Sequence, residues 1–483
     1  MRYPSLKLSF LPLLFLMVLL ALNVAIFGDD ASWGPNQLAL LLAAAFTAAL
    51  GFFVLGANYA ELEHKALHSV ILAMQAMVIL LVVGVLIGLW ILSGIVPAMV
   101  YYGIQLIHPT VFLVVACLAC SVVSLAIGSS WSTMGTVGVA LVTIGRTIGI
   151  DEPIVAGAII SGAYFGDKMS PMSDTTNLAP AVAGADLFTH IRHMFYTTVP
   201  AYAITLVLFA GIGLFQGGGD YNPALVDEVA EAIAAHFLVG WYLLLPPLFV
   251  IALVAMRVPA LPALMTGALI GAAMAPVFQP HLLGAPFTWR GGYATLVETA
   301  HSGYVMEGGH EMLDKLFTQG GLLNMLPTIL LIITAMLFGG MMEATNMLPC
   351  IARAILSLVR GTGTLVGATI ASCILVNIAA PDQYIAIVVP GRMFGPAYRM
   401  RRLKPRNLSR ALEDGGTVTS VLVPWNTCGA FASSVLRVPA IEYAPFAFFN
   451  WLSPLLSAFM AGVGIGIKYM SEDEAAQAGQ EQQ

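Results

Sequence analysis

Charge is what this chain has least of. Asp, Glu, Lys and Arg make up 10% of its 483 residues, against 59% hydrophobic, where a soluble chain carries about 25% charged residues. That scarcity excludes a soluble domain of useful size. Apolar runs near the ~20 residues needed to cross a bilayer recur from end to end, so the fold class is an all-α polytopic membrane protein. Cysteine is sparse too, with five at positions 117, 120, 350, 373 and 428, mostly in apolar runs. No disulfide framework fits them. Cys117 and Cys120, three apart on one helix face, read as small packing residues rather than a metal pair. Also missing are H-E-x-x-H, a P-loop and a nucleophile elbow. Asp167 and Asp174 are paired acids in one segment, whereas an aspartyl protease brings its two together from separate elements to share a proton. An enzyme and a resident cofactor are therefore not expected. The basic run RMRRLKPR (399–406) has no DNA-binding frame around it. It reads as anchoring against anionic lipid, and no nucleic-acid partner is expected.

What is present is a series of spans. The N-terminal run is too long for a signal-peptide core and lacks an A-x-A site, so it reads as a retained first helix. About ten crossings are expected, at 8–28, 34–56, 70–93, 150–185 (interrupted), 195–215, 238–256, 260–276, 322–345, 411–430 (interrupted) and 443–467. Two apolar pairs remain, 108–127 with 134–149 and 363–378 with 384–394; the last is too short to cross, so each pair reads as a re-entrant hairpin. With the N-terminus in the cytoplasm, fifteen Lys and Arg fall inside and four outside, with Lys168 left within a span. The segment 392–410 alone holds seven of the inside charges, and the outer loop 216–237 holds none. This is the positive-inside bias, and it places both termini in the cytoplasm.

The chain also resembles itself. At an offset of 252, Gly88 meets Gly340 and Pro97 meets Pro349. Asp167 meets Asp414 at 247, Asn177 meets Asn426 at 249, and the turn SSWST (129–133) meets AAPDQ (379–383) near 250. Span 322–345 comes five crossings after span 70–93, so the two halves are expected to be inverted, the architecture of secondary transporters with midplane sites on broken helices. The expected organisation is N-terminal helices at 1–69, a first inverted repeat at 70–237, linking helices and an outer loop at 238–321, a second repeat at 322–470, and a disordered acidic tail at 471–483.

The polar stretch GDKMSPMSDTTNLAP (166–180) interrupts one of these spans. Gly and Pro break a helix there, and Ser, Asp, Thr and Asn compete for its backbone hydrogen bonds. Unpaired backbone is tolerated in a membrane only where it lines a protein-enclosed cavity. A second break is expected at 414–427. Intramembrane charges cost about 2.5–3.5 kcal/mol each on insertion scales, so Asp167, Lys168, Asp174, Glu343, Asp382, Glu413 and Asp414 each need a reason. One reason is an ion site: a carboxylate that binds Na+ when ionised and a proton when not makes the two ions compete. The alternative reason is structural, with Asp167 and Lys168 a neutralising pair and Glu413 a surface salt bridge. The candidate site is Ser132, Thr133, Asp167, Ser170, Ser173, Asp174, Thr175, Thr176, Asn177, Asp382, Asp414 and Asn426, with Asp167 and Asp174 as the Na+ carboxylates. Trp131 and Trp425 read as core packing. His190 and His193, beside Arg192, read as a solvated turn at the inner interface rather than a metal pair.

SGAYFGDKMSPMSDTTNLAPAVAG, DLFTHIRHMFYTTVPAY, GSSWSTMGTVGVAL, GYVMEGGHEMLDKLFTQGGL and PWNTCGAF resemble the NhaC-type Na+/H+ antiporter family, within the ion transporter superfamily, from about residue 70 to 465. The resemblance implies exchange of Na+ for H+ across a bacterial inner membrane, with small ions or a small organic anion as partners and a homodimer as one assembly. The alternative it implies is a Na+- or H+-coupled transporter of organic acids, malate and lactate among them, or of amino acids.

Overall fold

A computed structural model describes residues 2–27, 34–106, 108–216, 223–256, 258–284, 288–306, 314, 317–380 and 382–471. They are almost wholly helical, and the β contacts among them are two isolated bridges, Tyr304 with Gln319 and Leu403 with Tyr469. Among the described residues eight helices are long and apolar enough to cross a membrane, or up to ten if each of two bent pairs counts as one span. Large apolar side chains such as Phe53, Val207 and Phe215 face outward, as lipid-facing helices require. Pro223–His236 is a helix, within the stretch read from the sequence as an outer loop.

Two helix–turn–helix segments and two broken helices build the centre. Pro109–Ile127 stops at Gly128, whose φ of 75° is left-handed; Ser129 then caps Ser130–Thr133, and the chain returns through a π-turn into Val139–Thr147. Glu152–Met169 stops at Ser170 and restarts as Asp174–Ala183 under the cap Ser173. In the second half, Thr362–Ala379 ends before the cap Asp382, which starts Gln383–Met400. Pro405–Leu412 runs through a π-turn at Glu413–Thr417 and Val418–Ser420, breaks, and restarts as Thr427–Leu436 under the cap Asn426.

Corresponding boundaries lie at one spacing. Pro109 and Thr362, the caps Ser129 and Asp382, the starts Glu152 and Pro405, the caps Ser173 and Asn426, and the ends Ala183 and Leu436 are each 253 positions apart. Met74–Leu92 and Leu326–Ala344 are 252 apart. This spacing revises the residue matches above. Asp167 falls opposite Ser420 rather than Asp414, and Asn426 falls opposite Ser173 rather than Asn177. The physical reason is that a break is fixed by its cap, and a cap needs a side-chain acceptor, not one particular residue.

Packing holds the first turn against the first break. A Cβ on Gly162 would lie 2.1 Å from the Cys117 carbonyl oxygen, and one on Gly166 2.5 Å from that of Ser121. Small residues thus let Glu152–Met169 lie close against Pro109–Ile127. Cys117 and Cys120 are buried free thiols in that contact. Residues read as sharing one side of the membrane also meet. The Arg2 amide donates to the Leu55 carbonyl at 2.7 Å, and Lys404 N to Lys468 O at 2.9 Å. Among those read as outside, Arg437 Nη1 donates to Thr318 O at 2.9 Å. Arg257, Lys315, Pro381 and the tail from 472 lie outside the described residues.

Candidate functional site

The two turns and the two breaks meet at a cavity of about 710 Å3. Ser129 and Trp131 come to its wall from the first turn, Asp167 and Asp174 from the first broken helix, Asp382 and Tyr384 from the second turn, and Thr427 from the second break. Of the sequence-predicted residues, Ser173, Thr175 and Asn177 also line it.

Asp167 is buried at the cavity wall. It is 6% exposed, and its Oδ2 accepts from Ser130 N at 3.1 Å and Ser130 Oγ at 2.6 Å. The first turn thus grips the first broken helix through this one side chain. Asp174, at the start of the next half-helix, is exposed to the cavity, and no hydrogen bond to it is found among the described residues. Asp382 uses Oδ1 to cap its helix, accepting from Tyr384 N at 2.9 Å and Ile385 N at 3.1 Å.

Other predicted residues hold backbone. Thr176 Oγ1 donates to the carbonyls of Asp167 (3.1 Å) and Lys168 (3.0 Å), satisfying the frayed end of the helix. Ser170 Oγ accepts from Met172 N at 3.2 Å, and Ser173 Oγ from Thr176 N at 3.5 Å. Asn177 Nδ2 donates to Pro171 O at 2.9 Å and Ser173 O at 2.7 Å. Thr133 Oγ1 donates to Ser129 O at 2.9 Å. Ser132 is buried behind the turn, its hydroxyl without a partner among the described residues.

Asp414 and Asn426 are not on the cavity wall. Asp414 forms a fully buried ion pair with Lys168. Ser453 Oγ receives from Lys168 Nζ at 2.8 Å and donates to Asp414 Oδ1 at 2.7 Å, and Thr197 Oγ1 donates to Oδ2 at 3.2 Å. Lys168 therefore does not neutralise Asp167, because adjacent residues on a helix do not face each other. Asn426 Oδ1 accepts from Cys428 N at 3.0 Å, and its Nδ2 reaches Asn377 Oδ1 at 3.1 Å.

Two further readings are corrected. Glu413 is no surface residue: the helix from Pro405 runs straight into the protein, and Glu413 is fully buried, accepting from Thr175 Oγ1 at 3.1 Å. His190 and His193 are buried in Leu187–Gln216 instead of lying in a solvated turn, with His190 Nδ1 2.8 Å from Ser409 Oγ. Glu343 is exposed at the end of its helix. Among the described residues no group of three or more His, Cys, Asp or Glu could hold a metal ion. Trp131 stacks on Phe431 with centroids 4.2 Å apart while also lining the cavity, and Trp425 Nε1 donates to Ile378 O at 2.9 Å. Sequence reasoning missed Ser130, Thr197, Asn377, Gln383 and Ser453. The only signal for Ser130 was its place beside the helix-capping Ser129.

A family model described as the Na+/H+ antiporter family matches residues 162–465, which contain both helix breaks. The chain is 38% identical over 433 residues to the Na(+)/H(+) antiporter NhaC of Alkalihalophilus pseudofirmus, covering 90% of each. It is 37% identical over 435 residues to the malate-2H(+)/Na(+)-lactate antiporter of Bacillus subtilis, covering 90% of this chain and 89% of that one. It is 34% identical over 475 residues to the arginine/ornithine antiporter ArcD of Halobacterium salinarum, covering 98% of this chain and 95% of that one.

Proposed function

This chain belongs to the Na+/H+ antiporter family, and on that premise we propose that it exchanges Na+ for H+ across the bacterial inner membrane by alternating access. The observation that carries the reading is the cavity at the breaks, where Asp167, Asp174 and Asp382 share one wall. Na+ is the cargo and needs oxygen ligands. Asp167 and Asp174 supply the charged ones, with Ser173 and Thr175 as neutral neighbours on the same wall. Either carboxylate holds Na+ or a proton but not both, and that exclusivity couples the two fluxes. Ser170, Thr176 and Asn177 keep the broken backbone in shape. Asp414 is a counter-charge to Lys168, and Asn426 a cap.

The constant spacing of helix boundaries supports an inverted repeat, with the two turns as re-entrant hairpins. The sidedness count makes the mouth cytoplasmic: Ala73, Phe188 and Pro259 line the cavity, and each lies next to a segment read as inside. On this reading the structure is inward-open, and both termini are cytoplasmic. A second reading, coupled transport of a small organic solute, is favoured by the size of the cavity.

The test is transport by the purified full chain in proteoliposomes with an imposed pH gradient. Na+ alone, with no organic anion present, should move protons; no movement would mean that simple antiport is wrong. Asp174→Asn should insert normally and lose at least about 90% of coupled exchange, as expected when the only ionisable ligand facing the cavity freely is neutralised.

A further inference from the structure

We propose that this cavity takes a small organic cation, an aliphatic ammonium or guanidinium compound of net positive charge, in competition with Na+. The inference rests on the antiport reading for taking the cavity to be the transport site. Size is the first argument. A volume of about 710 Å3 is room for more than twenty waters at about 30 Å3 each, and it falls within the roughly 300–1,000 Å3 of small-molecule sites. A bare Na+ needs far less.

The sign of the charge is the second. Three carboxylates line the wall, Asp167, Asp174 and Asp382, and none of the described lining residues is Lys, Arg or His. The nearest amine in sequence, Lys168, is turned away into its pair with Asp414. An organic anion would enter a wall of like charge with no cation among its described residues to offset it.

The helix ends are the obvious counter-argument, because four helix N-termini converge here and such ends attract anions. Each is already capped by its own chain. Ser129 accepts from Ser132 N, Ser173 from Thr176 N, Asp382 from Tyr384 N and Ile385 N, and Asn426 from Cys428 N. At one of the four the cap is itself a carboxylate, which offsets the positive end of the dipole. One or two of the amides that could hold a substrate carboxylate are therefore already taken at each end by the chain's own cap.

What the cavity does offer is acceptors. The Asp174 carboxylate has no hydrogen bond among the described residues. Gln383, 8% exposed and on the cavity wall, has an Oε1 that meets no donor among the described residues. An ammonium or guanidinium group supplies the missing donors, and the aromatic side chains Trp131 and Tyr384 line the same wall, a residue type that suits a cation.

The experiment measures Na+-driven proton movement in proteoliposomes of the full chain, with 1,4-diaminobutane, arginine, malate or lactate added. Binding of labelled 1,4-diaminobutane to the detergent-solubilised protein is measured in parallel. The two cations should raise the apparent KM for Na+ about tenfold or more, and the two anions should leave it unchanged. Gln383→Leu should weaken diamine competition by a larger factor than it changes the KM for Na+. The proposal is overturned if malate or lactate competes, or if neither cation competes and the diamine does not bind. Loss of Na+-driven proton movement without any additive would instead count against the antiport reading, and diamine binding in detergent would still decide the charge preference of the cavity.

Discussion

Lys168 is a fully buried amine, and its charge is met by Asp414, 246 positions away. Nothing in the local sequence points to that partner: Asp167 is adjacent, and Asp174 is in the same polar stretch. What the sequence does make legible at this scale is residue type. A run holding Asp, Ser, Thr and Asn inside an apolar span has to serve a cavity, and six of the twelve predicted site residues, Asp167, Ser173, Asp174, Thr175, Asn177 and Asp382, line one. Their division of labour was not legible, because a hydroxyl that caps a backbone and one that faces a ligand are the same letter. The buried pair gives a direct test. Removing one member of such a pair leaves an uncompensated buried charge, at a cost of about 3–5 kcal/mol. Lys168→Met should therefore lower the melting temperature of the detergent-solubilised protein, and adding Asp414→Leu should recover most of the loss. A double variant that is stable and still exchanges Na+ would remove Asp414 from the ion site; one that stays as unstable as Lys168→Met would show that the pair is not the cause.

At the level of elements, both breaks were legible because glycine, proline and small polar residues are costly inside a membrane helix. Their register was not. Charged residues were the visible landmarks, whereas the boundaries that recur at one spacing are marked by caps, serine at the earlier positions and aspartate or asparagine at the later ones. Gly128 is where the first turn touches the first break. Its φ is left-handed, and a Cβ there would lie 2.7 Å from the carbonyl carbon of Met172, inside the first break. Gly184 is also left-handed, yet a Cβ there would meet nothing within 4 Å. The backbone penalty for a non-glycine residue is similar at both, about 1–2 kcal/mol. Gly128→Ala should then push the turn away from Asp167 and cut exchange about tenfold or more, equivalent to ~1.4 kcal/mol of lost site geometry. Gly184→Ala should insert and exchange within about twofold of the parent, since roughly 1 kcal/mol of local strain far from any contact leaves the site intact. Equal losses in the two would trace the effect to backbone strain and not to the turn–break contact.

For the whole molecule, sidedness comes from charge counting alone, fifteen basic residues against four, while the direction in which the cavity opens depends on packing that no count contains. The two meet at Phe188. It is 64% exposed, lines the cavity, and stands four residues before Arg192, one of the charges counted as inside on the sidedness reading. Inward-open geometry requires that this wall be reached from the cytoplasm, and alternating access requires that it close when the protein turns outward. In a background with the five cysteines replaced, Phe188→Cys should react with a membrane-impermeant maleimide in inside-out vesicles, as should Arg401→Cys. Arg437→Cys, at the opposite end, should react only in right-side-out vesicles. Saturating Na+ that favours one of the two states should change the labelling rate at 188 and leave that at 401 alone. Reaction of Phe188→Cys solely from the periplasmic face would reverse the sidedness, and equal insensitivity of both positions to Na+ would separate this cavity from the transport path.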